Sequence, residues 1–238
     1  MLIWIVATLV AFFIKGLCGF ANALVFNSIL TFGNNNINVS PVELLVGYPT
    51  NIILAYRERK HLKKSIVIPL SILVLAGSIP GVFLLKNTDV TIIKVIFGIV
   101  VILIGIEMFF RERAKKRESS KAVLLVIGVL SGLLCGLYGI GALLGAYVSR
   151  VSENTKEFKG NICFVFTVEN TFRIALYALT GIITFDVLKR VVFLVPFMLI
   201  GLFLGIKCAN VLDDKVVKKL VIVLLILSGV VLVISNLS

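Results

Sequence analysis

Long apolar runs separated by short charged stretches dominate the chain. The runs cover residues 1–33, 42–56, 65–85, 90–110, 121–149, 160–181, 187–206 and 214–235. Their apolar character is continuous, without the period-two alternation of a membrane β-barrel. About 20 apolar residues let a helix cross a bilayer. The pattern predicts an all-α, polytopic transmembrane protein. Segments 1–33 and 121–149 are too long for one simple crossing, and glycines interrupt each near its middle. The N-terminus has no basic region before its apolar run and no small-residue cleavage site, so it reads as mature sequence rather than a signal peptide.

The two over-long segments begin two similar halves. Gly16-Leu-Cys-Gly19-Phe20 matches Gly136-Leu-Tyr138-Gly139-Ile140 at an offset of 120. Asn51 falls near Asn170, at 119. Gly77 and Gly81 match Gly201 and Gly205, Asp89 and Lys94 match Asp213 and Lys218, and Gly105 matches Gly229, all at 124. Internal self-similarity of this order implies a duplicated architecture. The halves are expected at 1–118 and 119–238, within one integral membrane domain. Each holds one Gly-broken segment and three spans.

Charge distinguishes two topologies. If every segment crosses once, the Lys and Arg of the loops divide 13 to 8 between the two sides. If segments 1–33 and 121–149 instead enter and leave on the same side, loops 57–64, 111–121, 150–159 and 207–219 fall together. The division is then 18 to 3. Cytoplasmic loops are enriched in Lys and Arg, so the second arrangement is expected. It makes each broken segment re-entrant, the halves inverted repeats and both termini external. Each half of a broken segment, residues 2–14 or 20–32, is then about 13 residues, or roughly 20 Å of helix.

Composition narrows the function. Hydrophobic residues make up 59% of the chain and charged residues 15%, against roughly 45–50% and about 25% in soluble domains. The net charge of +12 follows from basic cytoplasmic loops, so no nucleic-acid partner is expected. Cys18, Cys135, Cys163 and Cys208 form no CxxC pair, and His61 is the single histidine. No metal site, cofactor or His-based catalytic dyad is expected, and no Walker sequence is present. An enzyme is disfavoured.

Candidate chemistry gathers at the breaks. A helix that restarts inside a membrane directs free N–H groups and its positive dipole end inward, which suits an anion. The expected binding residues are Gly16, Cys18, Gly19, Phe20 and Asn22 in the first half and Gly136, Tyr138, Gly139 and Gly141 in the second. Asn51 and Asn170 flank them as neutral donors. The alternative role for the glycines is close helix packing. Lys15 either neutralises the anion or snorkels to an interface. Glu169 and Arg173, four apart on one helical face, form an ion pair or offer Arg173 to the anion path. Glu43 and Glu107 lie near segment ends and are expected at the interface.

With these motifs and the duplicated architecture, the whole chain resembles the TauE/SafE family of sulfite exporters. Ala21 and Asn22 stand where further glycines are common in that family. The resemblance implies a multi-pass cell-membrane transporter of sulfite or another sulfur-containing organic anion. Alternating access about the broken helices is the expected mechanism, and coupling to protons is compatible with it, with no residue assigned. An anion channel and a non-transporting membrane scaffold are the alternatives. The partners expected are the small anion and the bilayer; nothing in the sequence sets the oligomeric state.

Overall fold

The computed structural model describes residues 1–30, 36–87, 95, 98, 99, 102, 103, 106, 109, 121–138 and 141–237. Among the described residues the chain is helical and contains no strand. Segment 1–33 yields α1 (Leu2–Cys18) and α2 (Asn22–Leu30). Then come α3 (Asn36–Arg57), a short 3-10 turn (Arg59–His61) and α4 (Lys64–Asn87). Segment 121–149 likewise yields α5 (Lys121–Tyr138) and α6 (Ala142–Val151), followed by α7 (Thr155–Leu179), α8 (Phe185–Val211) and α9 (Asp214–Leu237). Most of the expected span 90–110, with Asp89, Lys94, Gly105 and Glu107, lies outside the described residues. So do Gly139, Ile140, Ser238 and most of loop 111–121. Three of the described helices, α4, α7 and α8, contain stretches long and apolar enough to cross a membrane. Large hydrophobic side chains such as Ile72, Val192 and Phe203 are exposed on them, as expected of a lipid-facing surface.

Local chemistry sets the helix ends. α1 stops at Gly19, whose φ of 87° is left-handed and whose N–H donates to the Lys15 carbonyl at 2.6 Å; only glycine adopts this geometry without strain. Ala21 also has positive φ, 71°, so the break occupies residues 19–21. α1 therefore has 17 residues, about 26 Å of helix, and extends past the half-span expected from the position of Gly16. α7 is capped by Asn154, whose side chain accepts from the Glu157 N–H at 2.9 Å. Thr184 caps α8 in the same way, through the Val187 N–H. α3 begins at Asn36 and is 22 residues long, so the short apolar run 42–56 is part of a full-length helix.

α1 packs on α8, and α5 on α4, through glycines that match in the sequence. Gly16 of α1 lies against Leu202, Gly205 and Ile206 of α8; Gly136 of α5 lies against Ser78 and Val82 of α4. Gly205 meets Phe13 and Gly16, and Gly81 meets Leu133 and Gly136. Gly201 meets Leu9, as Gly77 meets Val129. Every one of these contacts is backbone against backbone, which a Cβ would push apart. The contacts advance in step along both helices of a pair. α1 therefore runs parallel to α8, and α5 parallel to α4.

Polar links fix which ends meet. Lys63 Nζ lies 2.8 Å from Glu153 Oε1 and 3.3 Å from Glu157 Oε1, and the Lys63 N–H donates to Asn161 Oδ1 at 3.0 Å. Arg57 Nη2 donates to Asn210 Oδ1 at 2.7 Å. The end of α3, the start of α4, the start of α7 and the end of α8 thus share one end of the molecule. At the other end the Arg190 guanidinium lies 5.0 Å from the Trp4 ring centre. Phe26 of α2 packs edge-on against the same Trp4, with centroids 5.8 Å apart, so α2 returns toward the end where α1 began.

Candidate functional site

The last carbonyls of a helix have no intrahelical partner and carry its negative end. In both broken segments α7 meets them. Lys159 Nζ donates to the Gly16 carbonyl at 3.3 Å, and Cys163 Sγ to the Gly19 carbonyl at 3.2 Å. Arg173 Nη1 donates to the Cys135 carbonyl at 2.6 Å. One helix, α7, therefore holds the ends of α1 and α5.

The breaks share one apolar cluster. Cys18, Phe20 and Ala21 pack there with Leu134, Cys135, Leu143 and Leu144 and with Phe158, Ile162 and Phe166 of α7. The Phe20 ring lies over Gly145 of α6, and Gly141 lies against the Phe166 ring, where a side chain at position 141 would collide. Gly16 and Gly136 make the helix-to-helix contacts described above. Gly19 has a left-handed φ with the Lys159 stem beside it, so a bulky side chain there strains the backbone as well as filling space. Tyr138 closes α5.

Five charged side chains among the described residues are buried near the breaks: Lys15, Glu43, Lys159, Glu169 and Arg173. Lys15 is 1% exposed and does not snorkel. Glu169 and Arg173 form the expected pair, Nε to Oε1 3.6 Å, and Arg173 Nη2 also donates to Asn170 Oδ1 at 3.3 Å. Glu43 departs from expectation. It is 4% exposed rather than at an interface, and its Oε1 accepts from Asn22 Nδ2 at 2.5 Å. The sequence signal was a lone carboxylate between Val42 and Leu44 on an apolar run. It was misleading because α3 starts six residues before the run does. Lys159, counted among the loop cations, is likewise buried, inside α7. Asn51 is buried at 1% exposure, and its Oδ1 has no hydrogen-bond partner among the described residues.

At the basic end a cavity of about 210 Å³ is lined by Gly16, Arg57, Glu58, Lys156, Lys159 and Asn210, among others. It reaches α1 at the carbonyl that Lys159 holds. Beside it the Glu153 carboxylate bonded to Lys63 keeps that ammonium above the ordinary lysine range.

A family model described as "Sulfite exporter TauE/SafE" matches residues 4–232. No curated protein and no solved structure matches the chain.

Proposed function

Because the chain belongs to the TauE/SafE family of sulfite exporters, we propose that it moves sulfite or a related sulfur-containing organic anion through a site between its two broken helices. Membership makes it a multi-pass integral membrane transporter and not an enzyme. In the proposed site the N-terminal N–H groups of α2 and α6 face the anion. Asn51 and Asn170 flank it, and Lys15 supplies the counter-charge. The observation that carries the reading is the meeting of both breaks in one cluster against α7. Irregular backbone at membrane depth must be buried in protein or line a cavity, and here the first break is buried.

The halves 1–118 and 119–238 are proposed as inverted repeats with re-entrant first segments. Supporting this, α1 and α5 each run parallel to the fourth helix of the opposite half, α8 and α4, through equivalent glycines. The return of Phe26 to Trp4 and the shared end of the 57–64 and 150–159 loops agree with the 18-to-3 charge division. Alternating access follows as rocking of one half against the other about these glycine contacts.

Counterflow of ³⁵S-sulfite in liposomes containing the purified chain tests the function. Accumulation of label against its gradient, driven by unlabelled sulfite inside, supports a carrier. Flux without counterflow indicates a channel, and no flux a scaffold.

A further inference from the structure

Four of the buried ions gather around Glu43, while Lys159, a further buried cation at the first break, is tied instead to the Gly16 carbonyl. Lys15, Glu43, Glu169 and Arg173 are 1%, 4%, 1% and 2% exposed. When all four are ionised their charges cancel. Lys15 lies in the last turn of α1, Glu43 of α3 is bonded to Asn22, and Arg173 of α7, beside Glu169, holds the Cys135 carbonyl. Lys15 stands four residues before Gly19, and Asn22 opens α2. Cys135 sits in the last turn of α5 and faces Glu43, Glu169 and Arg173.

The two carboxylates are not equivalent. Glu169 is tied to Arg173, which is itself fixed by the Cys135 carbonyl and Asn170. Glu43 has no cation within ion-pair distance among the described residues; its hydrogen bond comes from the neutral amide of Asn22. Lys15 and Arg173 face it as opposite charges and Glu169 as a like charge. α8, the remaining helix packed on α3, carries its charged residues Asp186, Lys189, Arg190 and Lys207 near its two ends. Glu43 is thus the carboxylate of the set that can lose its charge without abandoning an ion pair among the described residues. Among the described residues its side-chain hydrogen bond is to the first residue of a restarting helix.

We infer that Glu43 carries a proton that accompanies the anion; this rests on the transport reading above. While Glu43 is ionised it offsets the charge of Lys15, so an anion entering among these four leaves one negative charge uncompensated in a low-dielectric interior, which is costly. A proton taken from water onto the Glu43 carboxylate restores neutrality. The neutral carboxyl is also a weaker acceptor, so Asn22 Nδ2 is released to donate to the anion. Proton and anion therefore bind with positive coupling, each raising the affinity for the other, and they travel together. Asn22 is the donor for which the Glu43 carboxylate and the anion compete.

The test uses the full chain in liposomes, with ³⁵S-sulfite as probe and a trapped pH dye reporting protons moved per sulfite. The comparison is between wild type, Glu43→Gln and Glu43→Asp. The proton that sulfite itself carries is common to all three. Wild type and Glu43→Asp are expected to move more protons per sulfite than Glu43→Gln does. Sulfite affinity in wild type should fall by about tenfold per pH unit more steeply than in Glu43→Gln on the alkaline side, the slope of one linked proton. Equal proton-to-sulfite ratios in wild type and Glu43→Gln overturn the inference while leaving transport standing. If Glu43→Gln carries no sulfite, the wild-type ratio decides: a ratio above sulfite's own protonation supports the inference, and one equal to it overturns it. Absence of sulfite counterflow in wild type overturns the transport reading and this inference with it.

Discussion

Arg173 of α7 donates through Nη1 to the carbonyl of Cys135 in the last turn of α5, 2.6 Å away. Its Nε faces Glu169 at 3.6 Å, so one guanidinium joins a helix end to a buried carboxylate. Removing one partner of a buried pair strands the other charge and costs about 3–5 kcal/mol. Arg173→Met and Glu169→Gln are each expected to lower the thermal midpoint in detergent strongly. The double variant should be more stable than the worse single variant. A double variant as unstable as the sum of the singles would mean that the two residues act independently.

Gly16 and Gly136 predict equal effects in the two halves. A Cβ on Gly16 would press on the backbone of Leu202 and Ile206, and one on Gly136 on Ser78 and Val82. Gly16→Ala and Gly136→Ala should each destabilise by about 1–3 kcal/mol through overpacking. Gly181→Ala is a useful contrast: nothing lies within 4 Å of its Cβ position, so only its positive φ is penalised. Thermal unfolding followed by size-exclusion recovery measures all three.

Asn51 and Asn170 are expected to separate binding from stability. Asn51→Ala removes a buried oxygen that has no partner among the described residues, so the empty protein should lose little stability. If Asn51 donates to the bound anion, sulfite affinity should fall by about 1–3 kcal/mol. Asn170→Ala also deprives Arg173 of an acceptor and should lower both. Titration of wild-type-eluting variants with sulfite gives the comparison, and unchanged affinity in both would move the site elsewhere.

Topology can be read with single cysteines in a Cys-free background. Arg59, Glu153 and Asn210 should label from the cytoplasmic side, because the polar links gather their segments at the basic end. Met1 and Phe185 should label from outside. Labelling of positions 59 and 153 from opposite faces would exclude the re-entrant arrangement.

The ties from Lys63 to Glu153 and Glu157 predict an alkaline weakness at the loop end. The folded-state value of Lys63 is raised above 10.5, so its contribution is fully present below that value. It is lost as pH rises through the raised one. Lys63→Gln should flatten this alkaline loss in thermal midpoint. Added salt should shrink the difference, since the lysine is exposed.

Much of the architecture was legible because membrane helices obey a length and hydropathy rule that local sequence satisfies alone. The over-long segments 1–33 and 121–149 announced broken helices, and both divide into two helices as read. The pair Glu169 and Arg173 was visible because four-residue spacing places them on one helical face. The exact stopping point of α1 was not visible. Gly16 and Gly19 look alike in sequence, yet Gly16 stays helical for close packing on α8 while Gly19 turns left-handed and ends the helix.

What the sequence by itself determined is the helical, membrane-spanning class, the duplicated order of motifs and the family, since each rests on residue type and spacing along the chain. Tertiary structure decided what the buried polar groups do. Whether Lys15 snorkels, whether Glu43 faces an interface and which cation holds which helix end depend on contacts between residues 21 to 143 positions apart, such as Asn22 with Glu43 and Lys159 with Gly16. The physical reason is that a buried charge is tolerated only where specific partners meet it. Those partners come from other helices, whose approach no local pattern encodes.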